Sequence, residues 1–263
     1  MHFTKMQGLG NDYLYVFGPV PGDIAELSRR LSDRHFGPGA DGMIYIDYSR
    51  NADFSMRIFN ADGSEAKMCG NGIRCVGKYV YDKGYTDKTR LTVDTLSGVK
   101  NLSLETVGGR VRSVTVEMGR AEVSPQTELT ISGEKLTLTP VSVGNPHAVQ
   151  FVPDAEAAPV TVQGPRIEHS PAFPGGVNAE FVQVLGKNRL RMRVWERGSG
   201  VTMACGTGAC ASAAAAVRLG YCDAGSPISV VLDGGTLEIT VSPDYDVRMT
   251  GPAETVFEGE TAQ

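Results

Sequence analysis

Met68-Cys69-Gly70-Asn71-Gly72 and Ala204-Cys205-Gly206-Thr207-Gly208 are the stretches that decide the fold. A shift of 136 residues lays one on the other. It also superposes Phe59-Asn60 on Trp195-Glu196, Gly84-Tyr85 on Gly220-Tyr221, and Leu96 and Gly98 on Leu232 and Gly234. No gap is needed from Phe59 to Gly98. Upstream, Gly10-Asn11 answers to Gly144-Asn145 at a shift of 134, and Phe36 and Asp41 to Phe173 and Asn178 at 137. Ordered matches at one period are the signature of internal duplication. Two domains are therefore expected, 1–118 carrying Cys69 and 119–263 carrying Cys205, with the boundary in the stretch Gly119 to Gln126, where Ser124-Pro125 breaks the pattern.

A chain of 263 residues is long enough for two such units, each with its own core. Net charge is −5 and no basic stripe appears, which argues against a nucleic-acid partner. The apolar runs are strand-sized, so no membrane span is expected. Met1 to Asp12 lacks the apolar region of a signal peptide. Five cysteines are an odd number with no CxxC pair, which speaks against a disulfide framework and a zinc site. A reducing, cytoplasmic setting follows, with no metal expected.

Apolar spacing predicts helices over 23–35, 71–83 and 207–219, the last two ending at Gly84 and Gly220. The third is rich in alanine and nearly uncharged, as a buried helix would be. Alternation predicts strands over 91–96, 111–118, 135–143, 148–152, 180–185, 189–195, 228–232 and 236–241, with Ser97-Gly98, Gly108-Gly109 and Asp233-Gly234-Gly235 as turns. The fold class is α+β: two similar domains from an internal duplication, each a mostly antiparallel sheet wrapped around a central helix.

Both cysteines precede a predicted helix, whose first turn offers free N–H groups and a partial positive charge. The flanking glycines let a ligand approach that backbone, and a carboxylate suits such a cradle. A free thiol of pKa about 8.5 is only about 3% ionised at pH 7. One helix end supplies roughly 0.3–1 kcal/mol, up to about 2 in favourable sites, so a nearby base is expected as well. His147 and Glu196 are the candidates, whereas Asn60 holds the position of Glu196 in the first half. A free Cys is ordinarily a small buried hydrophobe, and Cys75, Cys210 and Cys222 are read that way. Asn11, Asn60, Asn145 and Asn178 suit turns but recur as polar groups in matching places.

Taken together, Gly10-Asn11-Asp12, Asn60-Ala61-Asp62-Gly63, the block from Met68 to Cys75, Gly144-Asn145-Pro146-His147, Asn178, Trp195-Glu196-Arg197-Gly198 and the block from Ala204 to Gly208 resemble diaminopimelate epimerase across essentially the whole chain. The resemblance implies a pyridoxal-independent isomerase that interconverts LL- and meso-diaminopimelate in lysine and cell-wall precursor synthesis. It implies two similar domains with the site between them and a C-terminal stretch, about the last 12 residues, packed on the first domain. Cys69 and Cys205 match the two acid/base residues, with His147 and Glu196 tuning the thiols. Asn11, Asn60, Gly70, Asn71, Asn145, Asn178, Glu196, Arg197, Gly206 and Thr207 match substrate contacts. Some members carry Gln directly after the aspartate corresponding to Asp41; here Gly42 stands there, so no side-chain contact is expected from it. No cofactor is implied, the partner is a small-molecule substrate, and a homodimer is admitted.

The implied chemistry is two-base proton transfer, one thiolate removing the α-proton and the other thiol delivering one to the opposite face. A proline or hydroxyproline racemase is the nearest rival. Such enzymes carry His at the position of Asn71 and an Asp-x-Pro-Cys context at the second cysteine, where this chain has Met203-Ala204-Cys205. A noncatalytic amino-acid-binding relative and a thiol redox protein are further alternatives.

Overall fold

A computed structural model describes residues 1–261. The chain divides into two units, one from Met1 to Glu117 joined by the segment from Gly251 onward, the other Met118–Thr250.

The first unit orders its strands as Glu254–Glu260, His2–Gly8, Asn11–Phe17, Gly42–Tyr48, Phe54–Asn60, Arg90–Thr95, Gly98–Val107 and Arg110–Arg120. The C-terminal strand is held to the N-terminal one by pairing from His2↔Glu260 to Gln7↔Glu254 and by an edge-on Phe3–Phe257 contact. The second unit orders Glu134–Ser142, Pro146–Phe151, Asn178–Gly186, Arg189–Glu196, Pro227–Leu232, Gly235–Val241 and Asp246–Pro252 in the same senses.

Each sheet is mixed. In the first unit Asn11–Phe17 runs parallel to Gly42–Tyr48, and Phe54–Asn60 to Arg90–Thr95. In the second, Pro146–Phe151 runs parallel to Asn178–Gly186, and Arg189–Glu196 to Pro227–Leu232. A parallel pair needs a crossover, and the helices supply it: α1 (Ile24–Ser32) and α2 (Gly70–Asp82) in the first unit, α3 (Val160–Glu168) and α4 (Gly206–Arg218) in the second. The duplication thus extends to strand order, strand sense and helix placement.

Pairing also corrects one register. Met43 pairs with Phe59, and Ala179 with Trp195; Leu14 pairs with Met43, and Ala148 with Ala179. These fix the shift at 136 for the inner strand, so Gly42, not Asp41, is the counterpart of Asn178. The match at 137 compares Asp41, which precedes its strand, with Asn178, which begins the other.

The two helices beneath the cysteine blocks are the buried ones. Ile73, Val76 and Val80 of α2 are fully buried, as is the alanine run of α4. Both helices end at a glycine with φ of +77°, Gly84 and Gly220, a left-handed turn that a side chain would strain. The first helix is shorter than its periodicity implies. It stops at Ser32 because Asp33 turns extended and its carboxylate accepts from the N–H groups of His35 (2.7 Å) and Phe36 (2.8 Å), a local turn that competes with another helical turn. Among the described residues no helix is long and apolar enough to cross a membrane, no His/Cys/Asp/Glu group is placed to hold a metal, and all five cysteines are free.

Candidate active site

Cys69 and Cys205 are the N-cap residues of α2 and α4. Their backbones are extended, φ −136° and ψ 114° for Cys69, φ −114° and ψ 107° for Cys205. Each Sγ therefore turns back over the first turn and accepts the N–H three residues on, Gly72 N at 3.3 Å and Gly208 N at 3.3 Å. Sulfur takes the part that a Ser or Asp oxygen plays at an ordinary helix start. The sequence drives this: a cap-competent side chain, then a first turn containing two glycines that leaves the sulfur room to fold back. Gly70 with Asn71, and Gly206 with Thr207, form the first turns as expected.

The surroundings of the two thiols differ. Around Cys69, Sγ donates to Asn11 Oδ1 at 3.2 Å. Asn11 is oriented by Asp41, whose Oδ2 accepts its amide at 2.7 Å. Arg34 bridges Asp41 (2.9 Å) and Asp12 (2.7 Å), and Lys5 reaches Asp12 at 2.9 Å. Burial would raise Asp12, but the hydrogen bonds from Arg34 and Lys5 outweigh it and hold the carboxyl below its ordinary value. Inside α2, the fully buried Arg74 donates to Gly70 O and to Asn71 Oδ1, both at 3.1 Å, and to Pro252 O at 3.1 Å.

Around Cys205, which is 4% exposed, the neighbours are acidic. Burial, then the carboxylates of Glu196 and Glu180, push this thiol well above its ordinary value, against hydrogen bonds with Thr207 and Gly208 that lower it. Thr207 Oγ1 lies 3.6 Å from Cys205 Sγ and accepts from Asn145 Nδ2 at 3.3 Å. Asn145 Oδ1 meets His147 Nε2 at 3.1 Å, and His147 Nδ1 meets Glu180 Oε1 at 2.6 Å. Burial raises Glu180 above its ordinary value despite the lowering effect of His147.

The expected residues fall into two sets. Asn11, Cys69, Gly70 and Asn71 come together in the first unit; Asn145, His147, Cys205, Gly206 and Thr207 in the second. His147 does not bond the sulfur directly, since both ring nitrogens are engaged by Glu180 and Asn145. Asn60 closes the strand before a turn, its amide donating to Ser64 Oγ at 3.0 Å. Asn178 Oδ1 accepts from Arg197 N at 2.8 Å and so holds the Glu196-Arg197 turn. Glu196 accepts from Thr202 Oγ1, and Arg197 donates to Gly175 O at 2.9 Å. Gly42 cannot carry a side chain here, because a Cβ would sit 2.2 Å from Phe59 O.

Sequence reasoning missed four residues. Glu180 lies inside an apolar strand at the same face as Asn178, two residues on, a parity that could have exposed it. Glu168 is buried on α3, its carboxylate accepting from Trp195 Nε1 at 2.7 Å and Gly198 N at 2.9 Å, which anchors the Glu196 turn from behind. Asp41 orients Asn11 and Arg34 holds Asp41; Arg34 carries no motif signal, and Asp41 stands out in the sequence only as a repeat position with no role attached.

The diaminopimelate epimerase family model matches residues 3–124 and 139–256. The chain is 48% identical to a diaminopimelate epimerase of Acetivibrio thermocellus, covering 99% of this chain and 98% of that protein. It is 51% identical to one of Phocaeicola vulgatus, covering 98% and 97%. Among solved structures, a predicted epimerase of Pseudomonas aeruginosa superposes with a TM-score of 0.76 at 18% identity, covering 100% of this chain and 99% of that one. A probable proline racemase of Agrobacterium radiobacter gives 0.75 at 17%, covering 99% and 92%; at such identity the likeness is one of fold. With the family model matched over most of the sequence and relatives near half identity end to end, the chain belongs to the diaminopimelate epimerase family.

Proposed function

We propose that the chain interconverts LL- and meso-diaminopimelate by moving a proton at one α-carbon between two thiols, Cys69 and Cys205. The observation that carries this reading is the pair of N-cap cysteines, each accepting the N–H three residues on at 3.3 Å, in two units of one topology. One thiolate takes the proton from one face of the carbon, and the other thiol returns one to the opposite face. The roles swap for the other stereoisomer. The first-turn N–H groups at Gly70 and Asn71, and at Gly206 and Thr207, bind the α-carboxylate as charge builds on it.

Glu196 is the carboxylate that sets the ionisation of Cys205. Asn11, Asn60, Asn145, Asn178 and Arg197 hold the distal amino-carboxylate, which restricts reaction to one stereocentre. Identity near one half to named diaminopimelate epimerases over the full length supports the substrate and disfavours a proline or hydroxyproline racemase. Asn71 and the Met203-Ala204 context support the same choice.

The test is a chiral separation of products after incubating reduced protein with LL-diaminopimelate and, separately, with L-proline or trans-4-hydroxy-L-proline. Formation of the meso isomer alone is expected. Racemisation of proline without turnover of diaminopimelate contradicts the assignment.

A further inference from the structure

Glu180 and His147 side chains are both 0% exposed and meet at 2.6 Å, while the second carboxylate oxygen of Glu180 is buried with no hydrogen-bond partner. A net negative charge is costly in such a place. The pair is neutral when it holds two protons, either as carboxylic acid with neutral imidazole or as carboxylate with imidazolium. A proton lies between Oε1 and Nδ1 in both, and both put an N–H on Nε2. A neutral pair with its acid proton on Oε2 would also leave a lone pair there, but that buried proton would have no acceptor, so the remaining alternative is the net-anionic pair.

An N–H on Nε2 fixes everything beyond it. It donates to Asn145 Oδ1 at 3.1 Å, which turns the Asn145 amide N–H to Thr207 Oγ1 at 3.3 Å. Thr207 Oγ1, having accepted, still has its own hydrogen to give, and Cys205 Sγ lies 3.6 Å away, beside the N–H of Gly208 at 3.3 Å. We propose that Glu180 is a positioning residue for Cys205: by sharing a proton with His147 it sets the direction of every hydrogen bond from His147 through Asn145 and Thr207 to the sulfur. His147 is then a fixed donor with no lone pair for the Cys205 proton, which revises its expected role as a tuning base. Glu196 remains as the carboxylate acting on this thiol.

The first unit lacks the device. The shifts of 134 and 136 put Tyr13 at the position of His147 and Ile44 at that of Glu180. Asn11, the counterpart of Asn145, is turned the other way by Asp41, and its oxygen accepts from the Cys69 thiol. The inference rests on the two-thiol reading only for its consequence to turnover; the hydrogen-bond direction stands apart from it.

Nitrogen-15 NMR of histidine-labelled protein reads that direction without substrate. His147 is the buried one of four histidines, and its signal is identified by its loss in His147→Gln. A protonated Nε2 at neutral pH is expected, and a bare Nε2 overturns the proposal. Iodoacetamide labelling, resolved by peptide mass, reads the far end. Thr207→Val slows Cys205 labelling about tenfold at neutral pH, the loss of one donor to the thiolate, while Thr207→Ser restores it and Cys69 is unchanged. Unchanged Cys205 labelling in Thr207→Val overturns the proposal.

For turnover, Glu180→Leu lowers kcat about tenfold or more with KM within about threefold, whereas Glu180→Gln, whose amide donates to Nδ1, keeps the Nε2 proton and most of kcat. Full turnover in Glu180→Leu overturns the proposal. So does a Glu180→Gln protein that keeps the Nε2 proton but loses turnover, and that arm decides if the Leu variant does not fold. Wild-type protein with a protonated Nε2 and Thr207-dependent labelling but no epimerisation would defeat the proposed function and leave the positioning role intact.

Discussion

The two cysteine blocks have the same backbone and opposite backing. Cys69 and Cys205 cap equivalent helices with the same N–H at the same distance. Beside Cys69, the buried cation Arg74 bonds the first turn of the helix and Asn11 accepts from the thiol, with Asp41 and Asp12 held by Arg34 beyond it. Behind Cys205 the buried charges are Glu180 with His147, and Thr207 donates in our account. Duplication kept what positions the sulfur, the cap and its glycines, and changed what sets its proton affinity.

The strongest way to break the comparison is to remove one thiol at a time. Cys69→Ala and Cys205→Ala each lose about 10²–10⁴-fold in kcat, the range for deleting a general acid or base, with circular dichroism unchanged. A variant that keeps wild-type turnover removes its cysteine from the mechanism.

The next test sharpens the difference in affinity. Burial and then the Glu196 carboxylate raise the Cys205 thiol. Removing that negative charge stabilises the thiolate relative to the thiol, so Glu196→Gln lowers the pH midpoint of Cys205 labelling and leaves Cys69 in place. A rise in the midpoint, or an equal shift at both cysteines, contradicts the assignment of Glu196 to Cys205.

The smallest effect compares the matching glycines. A Cβ at Gly72 would lie 2.7 Å from Ile44 Cδ1, the end of a side chain that can rotate, while one at Gly208 would lie 2.9 Å from Glu180 Oε1 and 3.2 Å from Cys205 Sγ. Both substitutions gain roughly 1 kcal/mol of helix propensity. Gly72→Ala is expected to be near neutral in urea unfolding, and Gly208→Ala to be destabilised by about 1–3 kcal/mol through overpacking. Equal effects would mean that the carboxylate behind α4 is not held in place.

How much of this was legible in the sequence follows from what kind of signal each part leaves. The duplication and the buried helices were readable because Cys69 and Cys205, Gly84 and Gly220 repeat in register, and because Ile73, Val76 and Val80 recur on one helical face. The strands before Phe59 went unassigned because Met43, Ile44, Tyr45 and Ile46 are buried on both faces and show no alternation. The helix Val160–Glu168 hid behind its internal Pro165. Arg34, Asp41, Glu168 and Glu180 were missed because a side chain that orients another one is chosen by three-dimensional proximity, and proximity across strands leaves no fixed spacing. The parallel pairing of His147 with Asn178 is what brings Glu180 beside the imidazole.

The central claim is that two different thiols handle the proton, and solvent isotope incorporation tests it most directly. With unlabelled LL-diaminopimelate in D₂O, quenched at low conversion, the meso product is expected to carry deuterium at the inverted α-carbon while recovered substrate carries almost none. Product that retains the substrate's own hydrogen at that carbon would mean a single group carries the proton from face to face, and would contradict the account.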